Sequence, residues 1–557
     1  MLEGLDTVDW HELEPGRRDR PATDIPKVLR RMARADARTR QEVLDRTFAD
    51  LQDLLLGADR ASGTATAALP FLVDLAVTPN TVARPDLIDV IAGLAVGAAG
   101  AETGATPSDG DWDTAWRREW PRLRSLLVDE DRNVRRSALQ LVSDRTDSLL
   151  ERWHVEADRS VRLTVLLALG AAAAADDPTG TTAAAVRTVL DGARHGADRV
   201  MRVAAVIATA RLDPQAPLHA LPMLLELLTD PVLAPEFGKV WYTLDCEYPY
   251  HRDEVASWVM GLLVNDTSAA TSFVTGLAGA GSRTDDVELR RCAMDEAWRL
   301  LVLRPSSAPA LLGSAAGLLA DRDDDVRYKA VHLLAVLGPL AAPYADRLAA
   351  LLDDPGESQI FDGTVGEHAR WALTRIGDPR ALPDLVERLV APYRDTQGRG
   401  YCVSDPRRPD VVDVLRPLRA HAAGLVPAVR EALRDEVARR GWLVRELREV
   451  LQAWGEDPTL PEETEPYPQP WEPGPMEAEE AATTVQAFAA ETEQQPYWTF
   501  HAALASLLRL GHITQPVREA LATLRSADRR LSQYGDYRAF LEDEEIRERI
   551  DTVLTLP

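Results

Sequence analysis

Cysteine is scarce in this sequence of 557 residues, and its scarcity excludes two classes of small, cross-linked domain. Cys246, Cys292 and Cys402 lie far apart, and the chain has no CxxC pair and no cluster of cysteine with histidine. A disulfide framework or a zinc knuckle needs several such residues at close spacing. We therefore expect reduced thiols, no bound metal and no cofactor.

Basic residues are outnumbered, and lysine is the rarest of them. The chain holds 63 lysine and arginine residues against 89 aspartate and glutamate residues, a formal net charge of −26. A protein that binds the nucleic-acid backbone needs a concentrated cationic face, because its affinity comes from counterion release. Nucleic acid is therefore not the expected partner. Lysine occurs only as Lys27, Lys239 and Lys329, and this bias toward arginine is typical of genomes rich in G and C.

Long apolar runs are also missing. The longest uncharged ones, Val90–Ala101 and Leu163–Ala175, are shorter than the ~18 residues that a membrane-spanning helix needs. The segment Met1–Asp6 has neither the basic part nor the apolar part of a signal peptide. We therefore expect a cytoplasmic protein without a membrane partner.

Helical periodicity fills the chain, whereas the alternation typical of strands is nearly absent. Two helical elements repeat at a period of about 40 residues. The first carries a proline that we place in the first helical turn, where its missing N–H costs nothing. Its copies hold Pro70, Pro222, Pro343 and Pro383. The second opens with an aspartate that can cap the helix and continues with a Val-Arg pair. Its clearest copies begin at Asp131, Asp158 and Asp323.

These paired helices, with the link Gly377–Pro383 (GDPRALP), resemble HEAT repeats, in particular the short bacterial type first described in phycobilin lyases. The resemblance covers about residues 24–454 and implies an all-α, HEAT-like α-solenoid of stacked antiparallel helix pairs. A single pair cannot bury its apolar stripe, so each pair must pack on the next one. HEAT arrays serve as scaffolds, lyases, hydroxylases and glycosylases alike, so the resemblance implies the fold and leaves the activity open.

The periodicity also predicts how the chain is organised. A short segment, residues 1–23, precedes the array at 24–454, and the array is interrupted by insertions near 230–258 and 391–413. Residues 455–480 are rich in proline and acidic residues and hold no basic one, which is typical of an extended linker. Residues 481–557 return to helical periodicity and predict a small C-terminal helical module.

The first insertion concentrates aromatic residues in a protein that is only 6 % aromatic, and it supplies the candidate binding residues. They are Trp241, Tyr242, Asp245, Tyr248, Tyr250, His251 and Trp258. Tryptophan and tyrosine offer a large rigid surface with one polar group, as anchor sites of interfaces do. The alternative is that the insertion packs its own aromatic rings against the neighbouring repeats.

Other patterns predict no chemistry. Acidic neighbours disfavour a thiolate at Cys246. His251 lacks a second histidine at the spacing of a metal site, and the acidic run Asp321–Asp325 lacks the glycine and glutamate of a calcium loop. We interpret Trp112, Trp116 and Trp120, one helical turn apart, as packing residues.

The composition and the resemblance together favour a non-enzymatic scaffold that holds a protein or peptide in the concave face of the array. A cationic partner suits the charge. One alternative is an enzyme built on a HEAT frame, either lyase-like or like a DNA glycosylase that presents Trp241, Tyr242 and Asp245 to a base. Another is a protein that neutralises a toxin. The oligomeric state stays open.

Overall fold

A computed structural model describes most of the chain. The described residues are 2–13, 21–35, 48–57, 60–61, 63–100, 111–175, 180–246, 248–358, 362–393, 407–435, 442–459, 474, 476–490 and 497–557. The chain divides into two compact units, unit 1 (Met1–Leu262) and unit 2 (Leu263–Pro557). Cys402, Arg394 and Arg399 of the second predicted insertion and residues 460–473 of the predicted linker lie outside the described residues.

Unit 1 is built from short and medium helices. In chain order they are α1 (Ile25–Arg34), α2 (Phe48–Leu55), α3 (Gly63–Val77), α4 (Arg84–Gly100), α5 (Asp111–Ser125), α6 (Arg132–Ala138), α7 (Thr146–Val155), α8 (Arg159–Ala175), α9 (Thr181–Arg194), α10 (Arg199–Thr209), α11 (Ala216–His219), α12 (Leu221–Leu228), α13 (Ala234–Val240) and α14 (Arg252–Leu263), the last of which ends at the boundary. Two strands of two residues each, β1 (Leu56–Gly57) and β2 (Arg60–Ala61), pair antiparallel.

Unit 2 is helical as well. Its helices are α15 (Thr267–Thr284), α16 (Val287–Leu303), α17 (Ala308–Gly317), α18 (Asp324–Leu337), α19 (Ala345–Ala349), α20 (Val365–Ile376), α21 (Leu385–Val390), α22 (Val411–Leu415), α23 (Ala422–Arg434), α24 (Trp442–Trp454), α25 (Ala478–Ala490), α26 (Tyr497–Leu510), α27 (Gln515–Ser526) and α28 (Arg538–Leu554).

Within each unit the helices pack on their neighbours in the chain. In unit 1, α8 packs on α7, α9 and α10, and in unit 2 the helices α16, α18 and α20 follow one another while α15 and α17 pack beside them. Each pair thereby buries its apolar stripe against the next pair. The predicted fold class is confirmed: the protein is an all-α, HEAT-like α-solenoid.

The predicted aspartate caps are present at the second helix of the repeats. The side chain of Asp131 accepts from the backbone N–H of Asn133, and Asp198 accepts from the N–H groups of Val200 and Met201. Asp323 does the same at the start of α18. Each carboxylate satisfies amides that have no partner within the helix and lies at the positive end of its dipole.

The proline prediction is right at one position and wrong at others. Pro222 is the second residue of α12, as predicted. Pro70, however, lies inside α3, because the alanine-rich turn before it is a strong helix former and starts the helix at Gly63. Pro343 belongs to a 3-10 segment, and Pro383 lies in the loop ahead of α21.

The two irregular stretches are more helical than the sequence indicates. The insertion predicted at 230–258 contains α13 and the first half of α14, and only residues 241–251 between these helices form a loop. Pro235 in the first turn of α13 accounts for the early start of that helix. The last three residues of the predicted linker belong to α25, whose first turn carries Glu479 and Glu480 at the favourable end of the dipole.

The C-terminal helices α25–α28 share one apolar cluster. Phe500, Leu504 and Leu507 of α26 are buried against Val485 and Ile550, as their helical spacing predicts. The extent of the predicted C-terminal module itself stays a prediction.

The segment from Asp528 to Glu544 also contacts the repeats of unit 2. Phe540 lies against Trp298 of α16, with 5.4 Å between ring centroids, and Tyr537 lies at the same distance from Trp371 of α20. The side chain of Arg375 donates to both carboxylate oxygens of Glu544. The faces of α16 and α20 that carry Trp298 and Trp371 are therefore covered by the chain itself.

Candidate functional site

The aromatic loop 241–251 of unit 1 is anchored by a buried tryptophan. Trp241 is 0 % exposed and packs between Phe237 and Trp258, at 5.7 and 6.4 Å between ring centroids. Its carbonyl accepts from the N–H of Tyr250 at 2.8 Å, which closes the loop. Trp241 is one of the seven predicted binding residues. Because its side chain is buried, it stabilises the loop and cannot contact a partner.

Tyr242 is held at the base of the loop. The guanidinium of Arg136 lies 3.8 Å from the centroid of its ring, a cation–π contact, and its carbonyl accepts from the hydroxyl of Thr164 at 3.0 Å. These contacts tie the loop to α6 and α8, so its start is fixed by neighbouring repeats.

A groove of about 480 Å³ lies between this loop and the second helices of two repeats in unit 1. It is lined by Leu167, Ala168 and Ala171 of α8, by Ile207 and Arg211 at the end of α10, by Thr243, Leu244 and Asp245 of the loop, and by Tyr250 and Trp258. Its walls are mostly apolar, with one basic and one acidic side chain among them. Small-molecule and side-chain pockets have volumes in this range, roughly 300–1,000 Å³.

Three of the predicted residues, Asp245, Tyr250 and Trp258, therefore meet at one groove. Tyr248 does not line it but is 74 % exposed. The ring of His251 lies against Gly238, where a Cβ atom would come within 2.9 Å of the imidazole. The sequence does not predict that α8 and α10 line this groove, because the apolar stripe of a helix does not show which loop will pack beside it.

Hydrogen bonds within the loop fix its acidic edge. The hydroxyl of Thr243 donates to Asp245 at 2.6 Å, and the backbone N–H of Thr243 lies 3.0 Å from the sulfur of Cys246. The N–H of His251 donates to Glu254 at 2.6 Å. Across the described ranges of the chain, no group of three or more histidine, cysteine, aspartate or glutamate side chains could hold a metal ion.

A second polar cluster, two fully buried histidines, lies in unit 2. Nδ1 of His332 is 3.1 Å from Nδ1 of His368, whose Nε2 is 2.8 Å from the hydroxyl of Tyr328. That hydroxyl donates to the carbonyl of Asp362, so it must accept the proton of His368 Nε2. His368 Nδ1 is then an acceptor, and His332 Nδ1 donates to it.

Burial keeps this pair neutral. Desolvation and, to a smaller extent, nearby Arg408 lower the pKa of His368 to about 3, although a hydrogen bond with the backbone of Asp362 opposes the shift. Desolvation and the neighbouring His368 hold the pKa of His332 well below its ordinary value. Nε2 of His332 is buried without a hydrogen-bond partner. The pair therefore acts as a polar part of the core, with Trp298 and Trp371 packed on it.

Comparisons with known proteins give likeness in structure alone. No protein-family model and no curated protein matches this sequence. A homology model of the full-length AP-3 complex in an intermediate open conformation is 12 % identical, covering 96 % of this chain and 90 % of that chain, with a TM-score of 0.36. The C-terminal fragment of the cohesin loader SCC2 from Chaetomium thermophilum is 12 % identical, covering 95 % of this chain and 41 % of that chain, with a TM-score of 0.22.

The class of the protein therefore rests on its own helix packing, which is that of a HEAT-like α-solenoid. None of the described helices is both long enough and apolar enough to cross a membrane.

Proposed function

We propose that this protein is a protein-binding scaffold and that the groove of unit 1 holds an apolar side chain of a partner peptide. The observation that carries the proposal is the convergence of Tyr250 and Trp258 with the apolar helices α8 and α10 around one open groove. Half-buried aromatic rings in a concave site are typical of residues that dominate binding energy.

Unit 2 supplies an internal example of aromatic side chains received by the repeats. Phe540 packs against Trp298 of α16, and Tyr537 packs against Trp371 of α20.

The net charge of the chain, rather than that of the groove, favours a partner with net positive charge. Asp245 and Arg211 are both exposed at the groove, whereas the whole chain carries a formal charge of −26. Complementary potential speeds encounter and excludes wrong partners. A basic peptide with one aromatic or large aliphatic anchor therefore fits, and a basic toxin would be one such partner.

No observation favours the glycosylase-like alternative. Trp241 is buried, Tyr242 is covered by Arg136, and Asp245 accepts from Thr243, so the three residues do not face a common substrate. The scaffold proposal needs only the groove and its rim.

Selection of peptides from a random library on the immobilised full chain tests the proposal. Ala171 is an exposed residue of the groove, so Ala171→Trp would fill the space without disturbing the core. Ala174→Trp, at an exposed position of the same helix outside the groove, is the matched control. We expect selected peptides to carry a large apolar anchor and basic residues and to lose about tenfold or more in affinity with Ala171→Trp alone.

Trp258→Ala should weaken the same peptides by a comparable factor, since it removes the aromatic wall. Peptides that bind wild type, Ala171→Trp and Ala174→Trp equally would place recognition elsewhere and contradict the proposal. A library that yields no peptide above background would do the same.

A further inference from the structure

A cavity of about 380 Å³ in unit 2 is separate from everything the proposed function uses. It lies between α20, α21 and α22 and the loop that follows α19. Most of its wall is apolar, formed by side chains such as Leu352, Leu385, Leu389, Trp371 and Val414. Its volume falls within the range of roughly 300–1,000 Å³ that is typical of small-molecule sites.

Arg370 lines this cavity and is only 8 % exposed. Its Nη1 donates to the carbonyls of Ala381 and Pro383, at 3.0 and 3.1 Å. Among the residues that the structure describes, no carboxylate lies within ion-pair distance of this guanidinium. A guanidinium has five N–H donors, and the bonds to two carbonyls leave Nε and Nη2 without a described partner.

Two other buried arginines of unit 2 have a carboxylate within ion-pair distance. Arg290 lies 2.7 Å from Asp321, and Arg408 lies 3.2 Å from Asp362. A buried guanidinium without a counterion is costly, because burial removes its hydration and nothing replaces it. Burial lowers the pKa of Arg370 and Arg388 lowers it too, while Asp353 and Asp384, which lie outside ion-pair distance, offset the shift only in part.

Two of the three acidic residues of the wall, Asp354 and Glu367, are committed elsewhere. Asp354 pairs with Arg327 and accepts from the N–H of Gly356. Glu367 closes the capping box with Thr364 and pairs with Arg408. Neither is free to turn toward Arg370.

A second guanidinium of the wall is only loosely paired. Arg388 is about half exposed and has Asp353 at 3.6 Å. The third arginine of the wall, Arg408, already pairs with Asp362 and Glu367. Arg370 and Arg388 therefore remain to meet an anion in a cavity whose wall is mostly apolar.

We propose that this cavity binds a small carboxylic acid with an apolar body, whose carboxylate pairs with Arg370 and Arg388 while its body packs on Trp371 and the leucines. An arginine takes a carboxylate through two parallel N–H bonds, which gives direction as well as affinity. Acids with a phenyl ring or a short alkyl chain fit the volume. The carboxylate comes either from a free acid or from the C-terminus of a peptide.

Calorimetric titration of the full chain tests this with defined probes. The probes are 4-phenylbutyrate, its neutral counterpart 4-phenylbutyramide, N-acetyl-Ala-Phe and N-acetyl-Ala-Phe-amide. We expect the free acid to bind about tenfold or more tightly than the matching amide, since a hydrogen-bonded charge is lost. Tighter binding of 4-phenylbutyrate than of N-acetyl-Ala-Phe identifies a free acid as the source, and the reverse order identifies a peptide C-terminus.

Arg370→Met should abolish the preference for the acid, and Arg388→Gln should reduce it by a few fold while leaving the buried contacts intact. Arg322→Met changes an exposed arginine outside the cavity and should leave binding unchanged. Thermal unfolding without probe shows whether Arg370→Met is folded, and Arg388→Gln decides the question if it is not. Equal affinity for acid and amide, no binding of any probe, or acid binding that survives Arg388→Gln and any folded Arg370→Met unchanged overturns the proposal.

Discussion

His332 and His368 show how a single buried contact makes stability depend on pH. Both rings are neutral in the folded protein because burial lowers their pKa, that of His368 to about 3. In the unfolded chain each titrates near the ordinary value of 6.5. As the pH falls below 6.5, the two histidines bind protons in the unfolded chain but not in the folded protein. Their contribution to the free energy of unfolding is therefore fully present above pH 6.5 and decreases toward pH 3.

We predict that acidification from pH 7.5 to 5.5 costs about 1 kcal/mol for each of these histidines. His332→Asn should reduce the difference in the free energy of unfolding between the two pH values by that amount. Urea unfolding at both pH values measures it, and any cavity cost cancels because it is present at both. His421→Asn, at an exposed position of unit 2, is the control. An unchanged pH difference in His332→Asn would show that His332 is protonated in the folded state.

The aspartate caps and this histidine pair differ in how far they can be predicted from the sequence. The aspartate caps could be predicted because a cap acts on amides two or three positions further along the chain. His332 and His368 lie one repeat apart, and their contact depends on how α18 and α20 are rotated against each other. The local sequence pattern contains no information about that rotation, so the sequence does not predict the contact between the two histidines.

At the scale of elements, the second helices of unit 1 are joined by a ladder of ion pairs. Arg132 lies 3.8 Å from Asp158, Arg159 lies 2.5 Å from Asp198, and Arg199 lies 2.6 Å from the aspartate that opens the next turn, Asp230. Each aspartate thus caps its own helix or turn and receives the arginine of the preceding repeat. The sequence predicts the aspartate of the motif as a cap alone, because its second role needs the arginine of the preceding repeat to be in place.

Glu156 is the most buried carboxylate of this junction. It is 1 % exposed and accepts from Arg135 at 3.0 Å, from Arg152 at 2.9 Å and from the backbone N–H of Asp158 at 2.8 Å. These bonds outweigh desolvation and lower its pKa. The junction between α7 and α8 is therefore fixed by charge as well as by apolar contact.

We predict that Glu156→Gln lowers the free energy of unfolding by about 2–4 kcal/mol, because it leaves two arginines without their shared anion. Glu151→Gln removes a carboxylate that is 70 % exposed and paired only with Arg124, so it should cost less than about 0.5 kcal/mol. Denaturant titration of both variants gives the comparison. Similar losses in the two variants would mean that the buried network contributes no more than a surface pair.

At the scale of the whole molecule, the repeat period was sufficient to predict an all-α array, since stacking is the way for such pairs to bury their stripes. It was not sufficient to predict which parts of the array are covered. Tyr537 is fully buried, its hydroxyl donates to Asp413, and the backbone N–H of Asp410 donates to it, both at 2.8 Å. Those partners lie far away in the sequence, so no local pattern connects them. For the same reason the groove of unit 1 was predicted only through its loop residues.

The covered face of unit 2 leads to a prediction about Phe540. Its ring is buried between Trp298 and the guanidinium of Arg530, which lies 4.1 Å from the ring centroid. Phe540→Ala leaves a cavity at this contact and should cost about 3–5 kcal/mol. Because the lost contact joins α28 to α16, amide hydrogen exchange should become faster in both helices. Trp498→Ala, which removes an exposed ring of α26, should leave exchange in α16 unchanged. Faster exchange confined to α28 in Phe540→Ala would show that the aromatic contact does not hold the C-terminal helices to the repeats.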